Sequence, residues 1–143
     1  VINSKGIFMG KLIEQLNSKN IKINITAVYS ANQVQKILKK INKKTKVIIS
    51  IFAGRAGDAG NDPIPEFEKS LKMVKNYKNV KILWASVREP YNYIEAKRIG
   101  CHIITIPPSI INKIENFGKS LNKLSLETVK GFLIDSKKSK FKI

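Results

Sequence analysis

Short runs of β-branched and apolar residues alternate along this chain with segments whose apolar side chains recur at helical spacing, and this alternation restricts the fold more than any other feature. Ile21 to Ser30 is rich in β-branched residues and predicts a strand. Val34, Ile37, Leu38 and Ile41 follow at i, i+3, i+4 and i+7, one face of a helix. Val47 to Phe52 is a continuous apolar run, the pattern of a strand buried on both faces. Phe67, Leu71 and Val74 mark the next helix, Val80 to Val87 a third strand, and Ile94 and Arg98 a helix behind Pro90, which suits a first turn. His102 to Ile106 predicts a fourth strand, ended by Pro107 and Pro108, with Ile110, Ile111, Ile114 and Phe117 on its helix. Ahead of all this, Ile7, Phe8, Leu12, Ile13 and Leu16 predict a helix, and Val1 to Asn3 the last residues of another strand. Leu126, Val129, Phe132 and Leu133 predict a final amphipathic helix before a lysine-rich tail.

Strands begin roughly every 20 to 35 residues, the βα spacing of a parallel sheet. Two α/β architectures fit, a doubly wound open sheet and part of a closed barrel. No strand leads into a GxGxxG fingerprint, which weakens the dinucleotide-binding reading. A full (β/α)8 TIM barrel takes about 250 residues, and four βα units with a strand end supply about half of one. Half a barrel alone leaves an inner sheet face and two edges uncovered. The expectation is therefore part of a TIM barrel, from the end of strand 4 through helix 8, in a truncated chain that is poorly behaved and inactive by itself. Residues 1–118 would form this barrel half and residues 119–143 a C-terminal helix and tail.

The net charge of +17 comes from 27 basic residues, of which only Arg55, Arg88 and Arg98 are arginine. Lysines spread along helix faces beside many Ile and Asn read as a compositional bias. A nucleic-acid-binding protein would interleave aromatic and basic residues on one face, whereas Trp84 lies inside a predicted strand and the other aromatics are scattered. No specific nucleic-acid partner is expected. The longest apolar runs fall far short of the ~20 residues of a membrane span, so no membrane partner is expected either. The single cysteine, Cys101, excludes an internal disulfide and suits a reducing cytoplasm.

In parallel βα folds, ligands collect at the carboxyl ends of the strands. Those ends carry Asn3, Ser4, Asn24, Thr26, Ser30, Ser50, Gly54, Arg55, Ser86, Arg88 and Ser109. Asn24 and Thr26 are two residues apart and point to one face of their strand, toward a ligand or as a satisfied polar pair in a core. Where lysine is the default cation, an arginine marks a position at which lysine does not suffice. Arg55 and Arg88 each follow a strand end, and a guanidinium presents a planar fork that grips phosphate through two N–H groups. With the nearby serine hydroxyls they make a phosphate site, the alternative being ion pairs to Asp58 or Glu89. Arg98 reads as a surface residue, and the glycine-rich stretch from Gly54 to Gly60 as a flexible loop. Asp58 and Asp62 are read as solvated, and no metal is expected. His102 starts a strand, at the end away from the chemistry, and Cys101 reads as buried and inert.

At these residues the chain resembles the transaldolase family, from Val1 to about Phe117. Asn24-Ile-Thr-Ala-Val-Tyr-Ser30 resembles the family's fifth strand with its Asn-x-Thr, and Ser50-Ile-Phe-Ala-Gly-Arg55 its sixth with the Ser-x-x-x-Gly-Arg signature. Ala85-Ser-Val-Arg88 resembles the seventh strand, and Gly100-Cys-His-Ile-Ile-Thr-Ile-Pro-Pro108 the eighth. The resemblance implies a class I aldolase: a fourth-strand lysine forms a Schiff base with a ketose, and a dihydroxyacetone unit passes to an aldose phosphate. It implies no cofactor. In the family that lysine precedes the stretch matching Val1-Ile-Asn-Ser-Lys-Gly6, so it is expected upstream of Val1. Lys5 does not replace it. By resemblance, Arg55, Ser86 and Arg88 hold the substrate phosphate and Ser50 contacts the sugar chain. Thr26 orders the catalytic water and Asn24 the substrate hydroxyls. The partners implied are phosphorylated sugars and the missing N-terminal half of the barrel, with a homo-oligomer left open. Transferase and lyase chemistry both stay open, as does a non-catalytic binding relative.

Overall fold

The computed structural model describes residues 1–139; residues 140–143, which end the lysine-rich tail, lie outside the described residues. In chain order the elements are α1 (Gly10–Ser18), β1 (Ile23–Val28), α2 (Ala31–Leu38), β2 (Val47–Phe52), α3 (Ala53–Asp58), α4 (Ile64–Val74), β3 (Val80–Ala85), α5 (Tyr91–Arg98), β4 (Ile103–Ile104), α6 (Pro108–Ile114) and α7 (Leu121–Ser139). The chain divides into two compact units, Val1–Ile111 and the part from Asn112 onward. The second contains α7, whose first turn is held by the Ser120 hydroxyl, which accepts from the Lys123 N–H, and by a Lys119–Glu127 ion pair of 2.9 Å.

The first unit is built on a four-stranded parallel sheet with strand order β1-β2-β3-β4. Sequential order without a reversal lacks the switch point of a doubly wound sheet, and the mixed α/β unit corresponds to part of a (β/α)8 barrel. Paired residues in parallel strands share a face, so the register sorts the side chains into rows. Ile25, Ile49 and Ile82 form one row and are 7%, 0% and 0% exposed. This is the face toward the helices, where Phe67 of α4 stacks on Trp84 of β3 with ring centroids 4.5 Å apart. The opposite face carries the row Asn24, Ile48 and Lys81, then Ser50, Leu83 and Ile103. The sheet thus has an apolar back and a mixed, partly polar front.

Local chemistry sets the element ends. Ser30 caps α2 in a reciprocal box: its hydroxyl accepts from the Gln33 N–H, and the Gln33 side chain accepts from the Ser30 N–H, both at 3.3 Å. The Ala31 N–H donates to Glu66 of α4 (2.6 Å). At the opposite, amino-terminal end of the strands, Asn17, Asn42, Thr45 and Asn79 tie the loops together, with the Asn42 N–H donating to Asn17 Oδ1 (2.6 Å) and Asn79 Nδ2 donating to the Thr45 carbonyl (2.7 Å).

Several boundaries differ from the sequence expectation. β2 has its expected bounds, whereas β1, β3 and β4 are shorter than expected, β4 being only two residues: Tyr29 and Ser30 after β1, and Ser86 and Val87 after β3, leave the ladder and turn into the next loop. Val1 to Asn3 forms an antiparallel bridge, Ile2 to Phe8, while the Val1 nitrogen donates to the Thr26 carbonyl (2.9 Å) beside β1. The glycine-rich stretch expected as a flexible loop starts with a helix, α3, which follows β2 without an intervening residue.

Candidate functional site

Three of the strand-end residues meet through a backbone contact. Gly54, the second residue of α3, lies directly against β3's exit: a β-carbon there would overlap the Ser86 carbonyl and stand 2.7 Å from Arg88 Cγ. Only glycine lets the start of α3 approach this closely. Ser86 itself has φ +65, a left-handed conformation rare for a residue with a side chain. The chain therefore bends sharply just past β3, and Val87, 4% exposed, is pulled into the interior while Arg88 returns to the surface. The Arg88 N–H donates to Asn92 Oδ1 (3.0 Å), which fixes the backbone at that point.

Ser86 and Arg88 line a cleft of about 300 Å³ with Thr105, Ile106 and Pro107. The Arg88 side chain is paired: its Nε and Nη2 both reach Asp58 Oδ2, at 2.9 Å and 2.8 Å. This pairing raises the guanidinium's already high pKa, the hydrogen bond from Asp58 contributing first. Arg55, also exposed, lies over the Phe52 ring at 5.3 Å from its centroid. It borders a separate, larger cleft of about 590 Å³ with Tyr29, Asn61, Asp62 and Glu66. The structure thus brings Gly54, Ser86, Arg88 and Asp58 together, whereas the two guanidinium groups line neighbouring clefts.

Asn24 and Ser50 meet on the front face of the sheet, where the Ser50 hydroxyl donates to Asn24 Oδ1 (2.7 Å). Ser50 is 3% exposed and Asn24 is open to solvent. Thr26 is exposed as well and borders, with Asn24, Met9 and Leu12, a cleft of about 410 Å³ between α1 and β1. Its hydroxyl has no protein hydrogen-bond partner among the described residues. The next residue, Ala27, has φ +57, and the β1–β2 register slips between Ile25 and Val28. This bulge re-aims the end of β1.

Other strand-end polar residues serve local structure. Asn3 Oδ1 accepts from the N–H groups of Lys5 and Ile7 and closes a turn, and Ser30 is the cap of α2. Lys5 is exposed in that turn. Cys101 is half-buried, and burial pushes its thiol pKa up, away from the reactive thiolate. His102 Nδ1 accepts from the Ile82 N–H (3.1 Å), and its pKa is lowered by burial and then by Lys81. No helix among the described residues is long and apolar enough to cross a membrane.

Sequence reasoning named Ser86 and Gly54 from their place at strand ends and offered an ion pair to Asp58 as the alternative for Arg88, which the structure contains, but it did not find the strain at Ser86 or Ala27. Asp58 follows Arg55 by three residues on one short helix, and the packing of α3 on β3's exit pairs it with Arg88 and not with Arg55.

The family profile described as Transaldolase/Fructose-6-phosphate aldolase matches residues 7–143. The chain is similar to a probable transaldolase of Nitrosopumilus maritimus, 36% identical over 129 residues, covering 82% of this chain and 56% of that protein. A probable transaldolase of Myxococcus xanthus is 30% identical over 130 residues, covering 90% of this chain and 54% of that protein. The chain spans about half the length of the curated relatives it matches. The four ordered motifs, the parallel βα order and the family match agree: this chain belongs to the transaldolase/fructose-6-phosphate aldolase family.

Proposed function

We propose that the chain supplies the sugar-phosphate-binding part of a transaldolase-type enzyme, in which a lysine outside residues 1–143 forms the Schiff base with a ketose phosphate. The observation that carries this reading is the meeting of Gly54, Ser86 and Arg88 at the exits of β2 and β3, with Ser86 held in a left-handed conformation. Strain of that kind costs about 1–3 kcal/mol and persists where the surroundings impose it, commonly at ligand clamps. In this reading Ser86 and Arg88 hold the phosphate, and Arg55, exposed one residue beyond Gly54, closes on it from the neighbouring cleft. Ser50 and Asn24 meet the sugar hydroxyls, and Thr26 orders the water that carries protons during carbon–carbon cleavage. Lys5 is not the nucleophile in this reading, because it lies exposed in the turn closed by Asn3, where nothing desolvates its amine. The rest of the barrel completes the site, in a cytoplasmic enzyme of sugar-phosphate metabolism acting as transferase or lyase.

The test uses kcat/KM of the complete enzyme on a phosphorylated ketose and on its unphosphorylated counterpart, for wild type, Arg88→Lys and Arg88→Ala. Losing one arm of a charge-assisted fork removes ~1.5–3 kcal/mol, so Arg88→Lys should cost roughly 10- to 100-fold on the phosphorylated substrate. Arg88→Ala should cost more, and the unphosphorylated substrate should barely respond. Equal losses on both substrates would withdraw the phosphate assignment.

A further inference from the structure

We propose that Asp58 is a positioning residue that turns the guanidinium of Arg88 so that its end-on fork faces the ligand cleft; this rests on the phosphate-binding reading above. An arginine has five N–H donors. Asp58 Oδ2 takes two of them, one from Nε and one from Nη2, which together form the side edge of the guanidinium plane. The three that remain are both N–H groups of Nη1 and the outer one of Nη2. Among the described residues none of the three has a protein acceptor, and the outer N–H of Nη2 with the adjacent N–H of Nη1 forms the other bidentate edge of the plane. A carboxylate on the side edge thus leaves the end edge free and fixed in direction.

The rest of Arg88 is fixed with equal care. Its stem passes over Gly54 at a distance that admits no β-carbon, and its backbone N–H is held by Asn92. The stem, the backbone and one edge of the plane are thereby constrained together, and only the donor edge is left without a partner. The other ion pairs among the described residues are single contacts from lysines: Lys40–Glu14, Lys69–Glu66 and Lys119–Glu127. A contribution to stability does not account for the pair, since Arg88 and Asp58 side chains are 50% and 54% exposed, and exposed ion pairs contribute little. Orientation is the physical effect that this geometry does supply. A preoriented fork loses less rotamer entropy when it meets a phosphate than a free one.

The carboxylate has a counter-effect, because its charge repels the incoming phosphate. Orientation predicts weaker phosphate binding when Asp58 is removed, and repulsion predicts tighter binding. Calorimetric titration of the complete enzyme with inorganic phosphate, together with kcat and KM on phosphorylated and unphosphorylated ketoses, separates the two. Asp58→Ala should raise the Kd for inorganic phosphate and the KM for the phosphorylated ketose by roughly 5- to 20-fold, with kcat nearly unchanged. The unphosphorylated ketose should show no change. Asp58→Asn, whose amide oxygen can still accept both N–H groups, should recover most of the loss. Tighter phosphate binding in Asp58→Ala overturns the proposal, and so do equal losses on both substrates. Arg88→Ala, measured in parallel, isolates the premise. If it leaves the Kd for phosphate unchanged, the phosphate reading itself falls; if it abolishes binding while Asp58→Ala does nothing, the positioning role alone falls.

Discussion

The Ser86 carbonyl occupies the space that a β-carbon on Gly54 would need, so the exit of β3 and the first turn of α3 are interlocked. The contact is backbone against backbone, and it cannot be relieved by a side chain choosing another rotamer. Gly54→Ala must therefore move α3 away from β3 or displace residues 86 to 88. Overpacking of this kind costs about 1–3 kcal/mol, and here the displaced atoms carry the proposed phosphate grip. The expected outcome is a lowered denaturant midpoint together with a phosphate affinity reduced as far as in Arg88→Ala. An unchanged midpoint would mean that α3 is free to shift.

Two substitutions at Ser86 should separate the role of its hydroxyl from that of its backbone. At φ +65 a serine carries backbone strain that glycine does not. Ser86→Gly relieves that strain but widens the conformational freedom of the unfolded chain, so stability should change by less than about 1 kcal/mol, in either direction. Ser86→Ala keeps the strain and removes only the hydroxyl. If the hydroxyl binds phosphate, both variants should weaken phosphorylated substrates similarly, by about 1 kcal/mol or more. Chemical denaturation beside substrate KM distinguishes the roles: activity lost in Ser86→Gly alone would assign the residue to backbone geometry.

The hydrogen bond from Ser50 to Asn24 joins β1 to β2 on the front of the sheet. A double-mutant cycle of Asn24→Ala and Ser50→Ala should give a coupling of about 0.5–1.5 kcal/mol. Ser50 is buried while Asn24 is open to solvent, so Ser50→Ala should be the milder single change for substrate binding. Asn24 still has its amide group to offer a ligand. A coupling near zero in urea titrations would mean that the two side chains do not hold each other.

The parallel βα order was legible because a strand buried against helices leaves an apolar run, as in Val47 to Phe52, and because Val34, Ile37 and Leu38 keep the helical period. The strand-end rule selected Ser86, Arg88 and Gly54 for the same physical reason, since parallel strands deliver their carboxyl ends to one rim. What was hidden depends on contacts between segments. Alanine and serine carry no preference for left-handed backbone, so nothing at Ala27 or Ser86 announces φ +57 or +65. The stretch from Gly54 to Gly60 looks mobile by composition, and α3 forms there despite its two glycines. Asp58 and Arg88 are 30 residues apart, so the sequence offers their ion pair only as one alternative among several, and the packing of α3 on the exit of β3 selects it.

Thr26 should separate catalysis from stability. Its side chain is exposed and its hydroxyl has no protein partner among the described residues, so Thr26→Ala should leave the unfolding midpoint nearly unchanged. If the hydroxyl orders a water needed in the transition state, kcat of the complete enzyme should fall markedly at similar KM. A pure rise in KM would reassign Thr26 to binding of the ground state. A loss of stability would place it in the packing of β1 against α1.

Glu66 ties α4 to the amino terminus of α2 and should make stability depend on pH in a defined direction. Its carboxylate accepts from the Ala31 N–H (2.6 Å) and from Lys69 Nζ (3.1 Å), and its pKa is lowered, first by the Ala31 hydrogen bond and then by Lys69. A carboxylate whose folded pKa lies below its unfolded value adds stability that is fully present above the unfolded pKa, near 4.3. That stability is lost as pH falls through the folded pKa. The side chain is 30% exposed, so solvent screens the interaction, and its share is about 1 kcal/mol or less. Glu66→Gln keeps an oxygen for the Ala31 N–H but loses the charge at the start of α2. It should therefore be less stable than wild type at pH 7, and the difference should shrink as pH falls below the unfolded pKa and through the lower folded one. Urea denaturation of both proteins from pH 7 to pH 3 measures this gap. A gap that stays constant over the whole range would mean that geometry, and not charge, makes Glu66 hold α2, and that the lowered pKa plays no part in the fold's stability.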